Sequence, residues 1–383
     1  VVRPEVCKHC LACVPPCPTG AIDNWRMVPA ARTYSIGEQL LWDELPPERG
    51  ADRLATAGAE RPATGVAPAA VPPGAAETAS GELPYHAASY GATLPPWSAA
   101  HAYTNLYRPE NPVTATVVGN VKVNEAGTEN ETHHIVLDFG AMPFPVLEGQ
   151  SIAILPPGTD AHGRPHHPRQ YSIASPRNGE RPGYNNVSIT VKRVTVDRHG
   201  RAERGVASNY LCDLKVGDMV RVIGPFGTSF LMPNHPRSNI VMICTGTGSA
   251  PMRAMTEWRR RLRASGRFEG GRLMLFFGAR TREELPYFGP LMKLPKDFID
   301  VNLAYSRTPG APKRYVQDRM RERAADLGEL LGSPDTYIYV CGLKSMEQGV
   351  LLALRDVARQ AGLRWEELAA ALRREGRLHL ETY

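Results

Sequence analysis

Near Ser238 the chain changes its hydrophobic period, and that change limits what it can fold into. Upstream, short runs rich in β-branched residues recur: Thr114-Ala-Thr-Val-Val, Thr132-His-His-Ile-Val-Leu-Asp, Ser151-Ile-Ala-Ile-Leu, Asn186-Val-Ser-Ile-Thr-Val-Lys and Met219-Val-Arg-Val-Ile. Gly- and Pro-bearing turns separate them at spacings that predict an antiparallel β-barrel over residues 103–236. Downstream, apolar strands alternate with basic amphipathic helices. The strands are Asn239 to Cys244, Arg272 to Phe277 and Thr336 to Cys341; the helices are Met252 to Arg263, Gln317 to Leu331 and Ser345 to Gly362. Alternation of this kind predicts a parallel sheet wrapped by helices, an α/β domain over residues 237–383. The expected fold class is therefore multidomain.

Ahead of the barrel the composition shifts. From about Pro46 to Pro84 the chain is Ala-, Pro-, Gly-, Glu- and Thr-rich without hydrophobic period, so it buries too little apolar surface to offset the entropy of ordering it. Residues 43–102 are read as a linker, and residues 1–42 as a short module in front of it.

That module carries four of the seven cysteines, Cys7, Cys10, Cys13 and Cys17, with Pro18 after the last. The spacing C-x-x-C-x-x-C-x-x-x-C-P is the one bacterial-type ferredoxins use to hold 4Fe-4S clusters. A zinc knuckle or a relic loop is the competing reading, although zinc sites favour separated C-x-x-C pairs. In the ferredoxin pattern the fourth cysteine serves a neighbouring cluster, so two clusters are expected in an intact protein, with the partner motif upstream of Val1. Residues 1–42 are thus read as part of a two-cluster ferredoxin-like segment.

A formal net charge of +6, spread along the chain, suits nucleotide phosphates or an acidic redox partner better than nucleic acid. No apolar run approaches a transmembrane helix and no secretion signal is visible, so a cytoplasmic location without membrane association is expected.

Arg169-Gln-Tyr-Ser172 places three chemistries in four residues. Arg169 can pair with a diphosphate, Tyr171 can lie against a flat ring, and Ser172 can reach that ring's reacting edge. Val191 and Lys192 follow on a later strand, then Gly205, Val206, Ala207 and Ser208 open a helix whose N–H groups suit a phosphate. Together they describe a groove for a dinucleotide such as FAD. Between an apolar strand and a helix, Thr245, Gly246, Thr247 and Gly248 form a glycine turn that allows close backbone approach to phosphates. Ser306, Arg307, Lys313, Tyr315 and Gln317 then offer hydroxyl, cations and an aromatic face. An adenosine 2′-phosphate needs that set, whereas an NAD site would carry an acid to the ribose, so NADPH is the expected coenzyme.

In order, Arg169-Gln-Tyr-Ser-Ile-Ala-Ser175, Gly205-Val-Ala-Ser-Asn-Tyr-Leu211, Cys244-Thr-Gly-Thr-Gly-Ser-Ala-Pro251, Tyr339-Val-Cys-Gly-Leu343 and His379-Leu-Glu-Thr-Tyr383 resemble plant-type ferredoxin–NADP reductases over about Tyr103 to Tyr383. The resemblance implies an FAD-binding barrel followed by an NADP-binding domain. It implies Tyr171 and Tyr383 flanking the flavin ring, Ser172 and Glu381 near its reacting edge, and Cys341 beside the nicotinamide, with Gly278, Ala279, Gly342 and Leu343 also lining the coenzyme. The catalytic set so implied is Ser172, Cys341, Glu381 and Tyr383. Two departures stand out: Ala207 where the family commonly has cysteine, and Ser249 where it commonly has isoleucine, both expected near ligand phosphates.

A ferredoxin segment placed before a linker and such a reductase is similar to the reductase component of benzoyl-CoA 2,3-epoxidase. That similarity implies electron delivery from NADPH through FAD and iron–sulfur clusters to a di-iron epoxidase partner. The alternatives are a reductase serving another oxygenase or a sulfite-reductase-like system, and a redox sensor that binds nucleotide without turnover.

Overall fold

The structure, a computed structural model, describes residues 90–383 except 126, 129, 197–200, 236, 268 and 269. Cys7, Cys10, Cys13 and Cys17 lie outside the described residues.

Eleven strands and seven helices form two sheets with their covering layers among the described residues. The first sheet contains β1 (Val113–Lys122), β2 (Thr132–Asp138), β3 (Ser151–Leu155), β4 (Arg169–Ser172), β5 (Asn186–Lys192) and β6 (Met219–Phe226), in the antiparallel order β4-β3-β6-β1-β2-β5. Period-two patterning builds it. Val113, Ala115 and Val117 of β1 point inward with Ile135, Leu137, Ile152, Ile154, Ile189 and Val222. Each such valine, leucine or isoleucine side chain contributes roughly 1.5–3 kcal/mol on burial. Helix α1 (Val206–Asp213) closes one end through Leu211 and Cys212.

The second sheet is parallel, in the order β11-β10-β7-β8-β9, from β7 (Asn239–Thr245), β8 (Leu273–Ala279), β9 (Asp300–Tyr305), β10 (Thr336–Gly342) and β11 (Leu378–Thr382). Every residue of β10 is buried, as a strand covered on both faces requires. Helix α2 (Ser249–Ala264) and the short α3 (Phe288–Met292) cover the face bearing Met242, Phe277 and Tyr339. Helices α4 (Val316–Glu322), α5 (Ala324–Gly332), α6 (Lys344–Gln360) and α7 (Trp365–Arg374) cover the other.

The single helix expected over Gln317 to Leu331 is two helices, broken at Arg323. Its guanidinium turns to Asp300 (2.6 Å) and Asn302 (2.8 Å) on β9, and its φ of −107° leaves the helical region.

Of residues 90–102, which composition assigns to the end of the linker, Tyr90 and Ala92 meet the second sheet and its helices, while Ala99, Ala100 and Ala102 pack with Leu147 and Leu231. Ala92 N–H donates to Leu378 O at 2.7 Å, and the Tyr90 ring stacks on Trp365 with centroids 6.3 Å apart.

Helix α2 joins the two sheets. Arg253 donates to Ala174 O (2.8 Å) and to both carboxylate oxygens of Glu180, and Arg261 reaches Gly179 O and Glu180 O. From the barrel side, Arg177 pairs with Glu148 at 2.8 Å, both buried, and lies 4.8 Å over the Trp258 ring.

Candidate functional site

In an open parallel sheet, ligands bind beyond the carboxyl ends of the strands where the strand order reverses. Here β8 and β9 lie on one side of β7, and β10 and β11 on the other, so the reversal falls between β7 and β10. Cys244 and Cys341 sit in register across that pair. Just past them stand the turn Thr245–Gly248, a single 3-10 turn, and the residues Gly342 and Leu343.

Two glycines let these segments meet. A Cβ on Gly248 would lie 2.1 Å from Cys341 O, and Gly342, at φ +147°, would bring one within 2.5 Å of Thr245 Oγ1. Gly246, at φ +54°, faces open space. Gly278 packs between Thr245 and Val316, and the end of β8 is zipped to the next loop by Ser306 N–H to Ala279 O (3.1 Å) and Arg307 N–H to Arg280 O (2.7 Å).

Tyr383 closes the turn. Its hydroxyl lies 2.5 Å from Thr247 Oγ1, its N–H donates to Gly342 O, and its carbonyl accepts from Lys344 N–H. The residue as a whole stays 62% exposed while the hydroxyl end of its ring is held against the turn. Burial of the hydroxyl pushes its pKa up to about 12. Cys341 is buried, and burial followed by the neighbouring Glu381 holds its thiol well above the ordinary range, so it is a neutral thiol. Burial alone raises Glu381 to about 7.

On the barrel, β4 is an edge strand. Arg169 is exposed, and Tyr171 packs half-buried against the barrel core, its hydroxyl raised by burial and then by Cys212. Alternation puts Ser172 on the opposite face from Tyr171, and it pairs with Ser151. Val191 is buried, so its side chain serves the core, while Lys192 at the end of β5 is exposed. Although its tip reaches solvent, partial burial and then the charge of Arg280 lower the Lys192 pKa. Gly205 approaches Val194, to which it donates a backbone bond, and α1 begins there with no side-chain cap. Val206 is half exposed and Ala207 buried, while the Ser208 hydroxyl turns inward to accept from Val194 N–H. Strand β5 packs against the Gly246–Gly248 turn, which brings the barrel edge and the sheet switch point together.

Arg307 and Lys313 are exposed and make no ion pair among the described residues, although most arginines of this domain are paired. Tyr315, 47% exposed, starts α4, with Asp318 accepting from its N–H at 2.8 Å. Gln317 points elsewhere, its amide packed on Gly349 of α6. Ser249, expected near a phosphate, is buried, and it lines a partly open pocket.

Sequence reasoning did not select Arg280. Its signal was positional, since it follows the carboxyl end of a parallel strand. An uncapped helix start, unpaired cations, glycines at a switch point and exposed tyrosine faces fit FAD and NADP(H), which need anion donors and flat apolar walls. Among the described residues no cluster of three or more His, Cys, Asp or Glu could hold a metal, and no helix is long and apolar enough to cross a membrane.

An antiparallel barrel joined to a nucleotide-type parallel sheet, with such a groove, defines a two-domain flavin- and nicotinamide-dependent oxidoreductase. Comparison agrees. The family model "Oxidoreductase NAD-binding domain" matches residues 242–351. The cyanelle ferredoxin–NADP reductase of Cyanophora paradoxa is 40% identical over 288 residues, covering 73% of this chain and 78% of that one. The enzyme of Spirulina sp. is 36% identical over 289 residues, 98% of its length. A solved ferredoxin-NADP+ reductase from Plasmodium falciparum superposes with TM-score 0.58 at 22% identity, over 73% of this chain and all of that one, and so speaks to the fold. The chain belongs to the ferredoxin–NADP reductase family.

Proposed function

We propose that the chain takes reducing equivalents from NADPH and passes them, by way of bound FAD and the N-terminal cysteine segment, to a partner oxygenase. The observation that carries the coenzyme assignment is the unpaired pair Arg307 and Lys313 beside exposed Tyr315, in a loop that begins where β9 ends. These residues, with Ser306, bind the 2′-phosphate. The Thr245–Gly248 turn, Lys192 and Arg280 receive the pyrophosphate, and Cys341 supplies an uncharged wall for the nicotinamide.

Arg169 and the uncapped start of α1 hold the flavin's diphosphate, and Tyr171 and Tyr383 bracket its ring. Bound FAD would supply the conversion between the two-electron chemistry of NADPH and one-electron carriers. Tyr383 keeps water from the ring face and yields to the nicotinamide. Glu381, with its raised pKa, holds or releases a proton near neutral pH beside Cys341, and Ser172 offers a hydroxyl at the barrel edge.

Cys7, Cys10, Cys13 and Cys17 would bind the cubane iron–sulfur chemistry that such a one-electron exit needs. The order of cysteine segment, linker and reductase supports a di-iron epoxidase acting on benzoyl-CoA as the acceptor.

Purified protein should show flavin bands over a broad iron–sulfur absorbance and oxidise NADPH with an artificial acceptor. Nucleotide binding without turnover would instead mean a sensor. NADPH-dependent electron delivery to a benzoyl-CoA-charged di-iron partner tests the acceptor. Turnover with artificial acceptors but none with that partner would leave a reductase for another system.

A further inference from the structure

A pocket of about 110 Å³, partly open to solvent, lies between β7, β8, α2 and the segment from Pro286 to Leu294. It is separate from the groove described above, sitting beneath the coenzyme turn rather than over it: its walls include Cys244, just before that turn, and Ser249, just after it. We propose that this cavity is a binding site for a small neutral aromatic molecule, one six-membered ring carrying a single hydrogen-bonding substituent.

Three features set that ligand class. Most of the wall is apolar, made by Met252, Leu275, Phe277, Leu291 and Leu294, and a dry apolar cavity of about 150 Å³ is known to accept benzene. At about 110 Å³ the space holds one ring and not two.

The charged groups at its edge are already satisfied. Arg253 donates to Glu180 and Ala174 O, and Glu257 accepts two bonds from Arg260. The Tyr287 hydroxyl is engaged with Thr190 and His134, and the Thr256 hydroxyl donates to Met252 O. Burial keeps the Cys244 thiol protonated. An ionic ligand would find no free counter-charge in these walls.

One polar atom is left over. Ser249 is 3% exposed, and its Oγ has no hydrogen-bond partner among the described residues. A buried hydroxyl without a partner is costly, so the site calls for one polar atom on whatever fills it. Water is the poorer occupant of the apolar inner end, where Ser249 Oγ is the one wall atom buried without a partner, since a water needs two to four polar partners.

Binding of benzene and phenol to the full-length flavoprotein, followed by ligand-observed NMR titration, tests the assignment. Both should bind, phenol about fivefold more tightly through one net hydrogen bond. Ser249→Ala should erase the phenol preference while leaving benzene bound, and Leu291→Trp should exclude both. Retained flavin absorbance and NADP affinity certify that Leu291→Trp is folded, with Leu294→Phe as a second filling variant. Binding of neither probe, binding that survives both filling variants, or a phenol preference unchanged by Ser249→Ala overturns the proposal. So does a crystal soaked in phenol that shows only ordered waters in the cavity.

Discussion

Cys341 and Glu381 stand directly opposite one another across the parallel pair β10–β11, so a buried thiol and a half-buried carboxyl sit side by side near the sheet's switch point. Neither has an ionic partner there, and each is held toward its neutral form.

The carboxyl leaves a pH signature. Glu381 titrates near 7 in the folded protein against about 4.5 when unfolded. Between those values the native state holds a proton that the unfolded chain has lost, so stability falls as pH rises from 4.5 to 7, by about 3 kcal/mol. Glu381→Gln should flatten that slope in thermal unfolding followed across the interval; an unchanged slope would remove Glu381 as its source.

Tyr383 is expected to compete with the nicotinamide for the flavin face. Tyr383→Ser deletes the ring and its bond to Thr247, and NADP+ affinity should rise about tenfold, the worth of one hydrogen bond and one ring contact. Calorimetric titration measures this, and an unchanged dissociation constant would rule out the competition.

Coenzyme choice is expected to rest on Arg307 and Lys313. Each makes a charge-assisted contact worth about 1.5–3 kcal/mol, so replacing either with Ala should lower kcat/KM for NADPH roughly 10- to 100-fold and hardly alter NADH. Equal losses with both coenzymes would refute a 2′-phosphate site.

The link between the sheets should be acid-sensitive. Burial pushes the Glu180 carboxyl up, but His134, 3.5 Å away, and the bonds from Arg253 more than reverse this and hold it well below the usual range. Stability from this carboxyl is present above about pH 4.5 and is lost as pH falls toward the lowered folded value. Arg253→Met should cost about 2 kcal/mol at neutral pH, since the pair is only partly exposed, and should shrink the acid-side slope in denaturant titrations.

Much of the architecture was legible because period encodes burial. The two-faced apolar runs of β7 and β10 and the alternation in β1 leave few other placements. The break at Arg323 was not legible, because the carboxylate that draws that side chain out belongs to Asp300, a strand away. Nor was the role of α2's arginines, since an amphipathic basic helix reads the same whether its cations meet water or, as Arg253 and Arg261 do, the carbonyls of residues 174–180. The turn Thr245–Gly248 was visible from its glycines. The charge of Arg280 reaches Lys192 only when two sheets meet, and the register that sets Glu381 against Cys341 depends on strand pairing across some forty residues.

The bond from Ala92 to Leu378 means that the sequence limits and the spatial limits of the reductase unit differ. A stretch that precedes the barrel in the chain serves as trim for the far edge of the other sheet, taking up a peptide carbonyl at the start of β11. A reductase excised at residue 103 would lose that trim along with the Tyr90–Trp365 stack. The bared β11 would be a template for strand addition by a second molecule, so self-association is the hazard of cutting there.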